Sequence, residues 1–133
     1  MLTIDNVHKT FFAGTVNERR ALAGVSLTLA REVDGSVAGF ALARIVLDES
    51  ELLLIGVDRA HQGQGVGGLL LDQFIAAGRA MGLKVLHLEV RDGNRAIHLY
   101  ERNGFETIGR RKAYYKAPNG ERHDAITMAI NLR

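Results

Sequence analysis

The residues best suited to chemistry form a glycine-rich loop, Gln62-Gly63-Gln64-Gly65-Val66-Gly67-Gly68. It lies between a short apolar run, Leu52-Leu53-Leu54-Ile55-Gly56-Val57, and a long amphipathic segment. Glycines let backbone N–H groups come close to an anion, and a helix start adds unpaired donors and a partial positive charge. The loop is therefore expected to hold the phosphates of a cofactor. A second group of interest is the carboxylate of Glu89. It falls in a run where Leu86, Leu88 and Val90 alternate with Val85, His87 and Glu89, which puts Glu89 on the face opposite the apolar three.

The elements that must position these groups follow from periodicity. Val25–Val33 and Val37–Leu47 are β-rich, and Asp34-Gly35 between them is a hairpin turn signal. A polar turn at Asp48-Glu49-Ser50 leads into a third strand, Glu51–Val57, so the three strands are expected to form an antiparallel meander. After the loop, Val66, Leu69, Leu70, Phe74, Ala77 and Met81 recur at helical spacing and define one apolar face. Leu83–Val90 is expected to be a strand, Arg95–Arg102 a short helix ended by Asn103-Gly104, and Phe105–Tyr115 and His123–Leu132 two closing strands. Before the meander, Thr15–Leu22 is expected to form a short helix capped near Thr15 or Asn17, with Phe11 and Phe12 against the core and His8 on the surface.

Composition bounds the function classes. The chain has 133 residues, 47% of them hydrophobic and 24% charged, in the range of a globular domain with a real core. Residues 1–133 are expected to form a single domain, with no repeat, low-complexity tract or linker. A net charge of +2 is too mild to argue for nucleic acid or a membrane surface. With no cysteine, disulfides, thiolate nucleophiles and cysteine metal sites are excluded. The five histidines have no ligand spacing, so no metal is assigned; His87 is of interest only because it shares a face with Glu89. The start of the chain does not resemble a signal peptide and no run reaches a spanning length, so a cytoplasmic protein is expected.

Gly63, Gly65 and Gly68 formally match the dinucleotide pattern G-x-G-x-x-G, with Glu89 about 20 residues further on. Three features argue against it. Asp58 to Gln62 separate the glycines from the strand, the preceding strands form a meander, and too little chain follows to build a second half.

The loop also matches R/Q-x-x-G-x-G/A as Gln62-x-x-Gly65-x-Gly67, and here the chain resembles the GNAT family of N-acetyltransferases. From Glu51 onward it is similar to the RimI-like group of that family. The matching elements are Ile55-Gly56-Val57-Asp58, the loop, Leu88-Glu89-Val90-Arg91, Ala96–Glu101, Asn103-Gly104-Phe105, Arg110–Tyr115 and Asp124–Met128, roughly two thirds of the chain. The resemblance implies an α+β fold with a mixed sheet, in which the meander is followed by strand–helix units. The strand before the loop and the strand of Glu89 should splay apart. Only about two dozen residues precede the meander, so the family's N-terminal strand and helix are expected to be shortened.

The resemblance also implies an acetyl-CoA-dependent acyltransferase acting on a protein N-terminus, with a ribosomal protein beginning with alanine as the acceptor. Coenzyme binding falls on Ile55, Gly56, Val57, Gln62, Gly63, Gln64, Gly65, Val66, Gly67 and Gly68, with Asn94 and Tyr100 nearer the reacting end. Asn94 to Tyr100 is one residue shorter than the family spacing, which puts the position of Asn94 in question. A peptide α-amine of pKa about 7.7–8.0 becomes neutral at pH 7 for about 1 kcal/mol, against about 4–5 kcal/mol for a lysine, so one carboxylate suffices for the former. Glu89 is the expected base and Tyr100 the expected acid for the leaving thiolate. Tyr114 and Tyr115 are expected to hold substrate; strand alternation would let one touch it while the other packs. The basic stretch Arg110, Arg111, Lys112 and Lys116 is either a solvated face or a surface for an acidic or ribosomal partner. A monomer or homodimer, with no nucleic acid and no membrane, completes the expectation. The alternatives are a small-amine or lysine acetyltransferase of the same fold and a non-catalytic CoA-binding module.

Overall fold

The computed structural model describes residues 26–133. The expected helix at Thr15–Leu22, the roles of His8, Phe11 and Phe12, and the shortened N-terminal region lie outside those residues. Six strands form one mixed sheet in the order β1-β2-β3-β4-β6-β5. They are β1 (Leu27–Val33), β2 (Ser36–Val46), β3 (Glu49–Val57), β4 (Val85–Arg91), β5 (Glu106–Lys116) and β6 (Arg122–Asn131). Helix α1 (Val66–Ala80) lies between β3 and β4 in sequence, and α2 (Ala96–Arg102) between β4 and β5. Every strand pair is antiparallel except β3 with β4. The expected meander is β1 to β3.

Local chemistry explains the turns. Asp34 and Gly35 both take positive φ, 53° and 80°, which is the two-residue hairpin geometry an Asp-Gly pair favours. The next turn differs from expectation. It is Leu47-Asp48, not Asp48-Glu49-Ser50, because β3 already pairs with β2 from Glu49 and Ser50. Ser50 can be buried in a strand because its hydroxyl donates to the Arg44 carbonyl at 3.1 Å.

Helix α1 packs Val66, Leu70, Leu71, Phe74 and Ile75 on one sheet face against Leu29, Ala41, Leu52, Leu86, Leu88, Ile126 and Met128. Two residues expected on that face are not there: Leu69 is 41% exposed and Met81 46%. Leu71, Ile75 and Gly78 shift the buried stripe to one side of Leu69, and the helix ends before Met81. Gly78 lets α1 approach β4, since a Cβ there would lie 2.9 Å from Leu86 Cδ2. A second cluster, Ala30, Phe40 and Leu42 with Leu54 and its neighbours, is also buried.

The irregularity that matters for function sits in the middle of the sheet. Leu42 pairs with Leu54 and Ala43 with Leu52, so Leu53 is an extra residue in β3. A bulge of this kind bends its strand and increases the local twist. Beside it, β3 and β4 pair over only four residues, from Glu49↔Val85 to Leu52↔Leu88. Past that point the two strands diverge, which is the splay expected from the resemblance.

Close packing next to the splay gives a test. A Cβ on Gly39 would stand 2.8 Å from the Gly56 carbonyl oxygen and 2.8 Å from Val66 Cγ1. Gly39→Ala should destabilise the fold by about 1–3 kcal/mol, an overpacking cost, read as a lowered urea midpoint with an unchanged m-value.

Candidate functional site

The glycine loop leaves the end of β3 through a short 3-10 turn, Arg59–His61. Gln62 ties the loop back to the strand, its Nε2 donating to the Val57 carbonyl at 3.3 Å. Asp58 faces His61, with Oδ2 3.2 Å from Nδ1. Gly65, at φ 80°, caps α1 in the left-handed region, and a Cβ on Gly63 or Gly65 would meet nothing within 4 Å. The first intrahelical bond runs from Leu69 N–H to the Gly65 carbonyl. The amides of Val66, Gly67 and Gly68 are thus the unpaired donors of a helix N-terminus. Those of Gly63, Gln64 and Gly65 likewise make no backbone hydrogen bond among the described residues. This is a row of free N–H groups bordered by open space, and its chemistry fits a diphosphate.

Gly67 and Gly68 face α2. A Cβ on either would touch Leu99, at 3.5 Å and 3.7 Å respectively, and Leu99 is followed by Tyr100. Tyr100 is buried in the core cluster with its ring edge-on to Phe105, centroids 6.0 Å apart. Burial pushes its phenol above the ordinary value of 10.0. The hydroxyl makes no hydrogen bond among the described residues. Gln73 Oε1 is the one sealed side-chain polar atom without a partner among them, so the Tyr100 oxygen reaches solvent. Tyr100 can therefore hold a proton and present it.

Glu89 is the first residue of β4 past Leu88, the last one paired with β3. Leu86, Leu88 and Val90 are buried on the helix side, whereas Glu89, its side chain 25% exposed, lies on the opposite face. Glu89 thus stands beside the splay on the face away from the helices, and it forms no hydrogen bond with Tyr100. The Glu89 carboxylate receives Tyr115 Oη at 3.4 Å on Oε1 and faces Arg111 Nε at 3.6 Å on Oε2. The Tyr115 phenol is raised above 10.0, first by burial and then by the Glu89 charge, so it stays a donor to that carboxylate. His87 shares the face of Glu89, and its imidazole makes no hydrogen bond among the described residues. Those residues contain no group of three or more His, Asp or Glu placed to hold a metal ion.

One sequence expectation changes here, and the surroundings of Asn94 and of the basic stretch come into view. Tyr114 and Tyr115 do not part to opposite faces: their rings meet edge to face with centroids 5.2 Å apart, and Arg111 sits 5.2 Å over the Tyr114 ring. The alternation rule fails because β5 is irregular between Arg111 and Tyr115, with Ala113 at φ 52°. Asn94 is occupied locally, its Oδ1 accepting from the Ala96 N–H at 2.9 Å to start α2. The basic stretch is partly neutralised. Arg110 bridges Asp92 at 2.8 Å and Asp124 at 2.6 Å, and Arg111 faces Glu89. The roles of Asp92, Asp124 and Arg111 had no local signature in the sequence, because their partners come from different strands.

Comparison with known proteins adds to this geometry. A family model described as the acetyltransferase (GNAT) family matches residues 7–105. A ribosomal protein bS18-alanine N-acetyltransferase from Haemophilus influenzae is 41% identical over 99 residues, covering 74% of this chain and 68% of that protein. The crystal structure of the ribosomal-protein-S18-alanine N-acetyltransferase from Escherichia coli is similar at a TM-score of 0.76 and 41% identity, over 80% of this chain and 68% of that one. A Salmonella typhimurium structure solved with its cofactor acetyl-CoA is similar at a TM-score of 0.73 and 27% identity, over 80% of this chain and 65% of the other.

The buried phenol of Tyr100 makes stability depend on alkaline pH. A pKa raised on folding contributes stability that is complete below the unfolded value, near 10.0, and is lost as pH rises through the folded value. Thermal melts from about pH 9 to about pH 11 should show a steeper fall for the wild type than for Tyr100→Phe, which has no proton to lose there.

Proposed function

The chain belongs to the GNAT acetyltransferase family, whose acetyl donor is acetyl-CoA, and on that footing we propose that it acetylates the N-terminal α-amino group of a protein. The acceptor in this proposal is a ribosomal protein beginning with alanine, and the reaction takes place in the cytoplasm. Support for the acceptor comes from the relative that carries that activity in its name, at 41% identity over 99 residues. The observation that carries the chemistry is Glu89, one carboxylate standing at the first position of β4 that no longer pairs with β3.

Each residue has a part in the proposal. Amides from Gly63 to Gly68, with Ile55, Gly56 and Val57 on the freed edge of β3, hold the coenzyme, and Gln62 keeps the loop against the strand end. Acetyl-CoA supplies the activated thioester. Glu89 accepts a proton from the incoming ammonium, directly or through water, and a base of this kind contributes about 10²–10⁴-fold. An α-amine of pKa about 7.7–8.0 needs only about 1 kcal/mol to be neutral at pH 7, whereas a lysine side chain needs about 4–5 kcal/mol. A single partly exposed carboxylate suits the first acceptor better. Tyr100, kept protonated by burial, gives its proton to the departing sulfur. Tyr114 and Tyr115 line the acceptor side next to Glu89. Neither a nucleic acid nor a membrane has a part in the proposal, and among the described residues no helix is long and apolar enough to cross one.

Steady-state assays with acetyl-CoA and peptides that differ only at the N-terminus test this. A free alanine start should be acetylated, while the same peptide blocked at its α-amine but carrying a lysine should not. Glu89→Gln should lower kcat by about 10²–10⁴-fold with little change in coenzyme affinity. Full activity of that variant would remove Glu89 from the role.

A further inference from the structure

We propose that Asp124 is a positioning residue for this reaction: its carboxylate fixes a bulge in β5 and thereby sets the Tyr115 hydroxyl on Glu89. The inference rests on the reading of Glu89 as the base. Its starting observation is the β5–β6 register. Arg111 pairs with Ala125 and Tyr115 with His123, so β5 spends Lys112, Ala113 and Tyr114 against Asp124 alone. Bulged residues lose their ladder partners, and their backbone groups need others. Ala113 also sits at φ 52°, where a residue with a Cβ stays only if its surroundings hold it.

The facing strand does the holding. Asp124 Oδ1 accepts the Ala113 N–H at 2.8 Å, and Arg122 Nη1 donates to the Ala113 carbonyl at 3.4 Å. Asp124 Oδ2 takes Arg110 Nη1 at 2.6 Å, and the same guanidinium nitrogen reaches Asp92 Oδ2 at 2.8 Å. Asp92 in turn donates its N–H to the Asp124 carbonyl at 2.9 Å, which anchors the group to the end of β4 beyond Glu89. The Ala113 amide, followed by Arg110, holds the Asp124 carboxyl below its ordinary value of 3.8, so it is ionised wherever the enzyme works.

The excess is two residues, and an even number matters. Side chains alternate with period two, so an even insertion returns Tyr115 to the same face as Arg111, and both reach Glu89. At 3.4 Å the Tyr115–Glu89 bond is long, so a small shift of the bulge breaks it.

The test is a set of full-length variants assayed with acetyl-CoA and an alanine-initiated peptide. Asp124→Ala should lower kcat by about tenfold or more, the effect of one lost charge-assisted hydrogen bond, while the KM for acetyl-CoA stays unchanged. Asp124→Asn keeps the oxygen that receives the Ala113 amide and should recover most of the loss. Tyr115→Phe should resemble Asp124→Ala, and the double variant should be no worse than the worse single one, because Asp124 acts through Tyr115. If Asp124→Ala does not fold, Asp124→Ser, whose hydroxyl is too short to bridge, replaces it in the cycle. Losses that multiply, or an Asn variant as poor as Ala, overturn the inference. A wild type without turnover on any amine, or a fully active Glu89→Gln, instead overturns the reading of Glu89. Asp124 can then still be read by ¹³C-tyrosine NMR. The Tyr115 titration should move back toward 10.0 in the Asp124→Ala or Asp124→Ser variant, and an unmoved titration overturns the inference.

Discussion

Everything at this site depends on a sheet that stops pairing partway along. Parallel strands β3 and β4 share four residue pairs and then separate beside the extra residue Leu53. In a continuous sheet, Glu89 would be flanked by β3 as well as β6, and the far half of β3 would have its edge hydrogen-bonded to protein. Separation opens that edge and leaves a gap with the Glu89 carboxylate beside it. The unpaired polar groups of the β3 edge are tolerable because Ile55, Gly56 and Val57 are only partly buried.

The two ends of the gap are built by different means. At the end proposed for the diphosphate the backbone is what offers contacts: glycines in left-handed geometry and the first turn of α1 present N–H groups. At the reacting end side chains act, and each is held by another. Tyr115 and Arg111 both address the carboxylate of Glu89. Opposed charge and a phenol donor on one carboxylate fix its orientation, while leaving an incoming ammonium a route to displace Arg111, whose 3.6 Å contact is loose.

Much of this was legible in the chain. Period-two patterning gave the face of Glu89, because Leu86, Leu88 and Val90 had to be buried and one alternation then placed the acid outside. The glycine loop was legible because only glycine accepts the geometry at Gly63 and Gly65 without strain. What escaped was every departure from regular pairing. Leu53 looks like any other strand leucine, and nothing near Ala113 announces a left-handed alanine. Both bulges show only against partners across the sheet, Ala43 and Leu42 in one case and Asp124 in the other. Local pattern assumes an even ladder, so it sent Tyr114 and Tyr115 to opposite faces when in fact their rings touch. Leu69 and Met81 misled for a related reason: helical periodicity finds a stripe but not its centre, which the sheet beneath decides.

Gly67 and Gly68 carry one more consequence. Leu99 lies alongside both in the first turn of α1, and the neighbouring residue in α2 is Tyr100. In the proposed reading, Leu99 is what ties the phosphate cradle at the start of α1 to the phenol on α2. On the proposed reading, the pair would gauge the coenzyme like a caliper. A thiol donor cut short of its nucleotide would lose the grip that locates its sulfur, and one with a longer arm would carry that sulfur past the phenol.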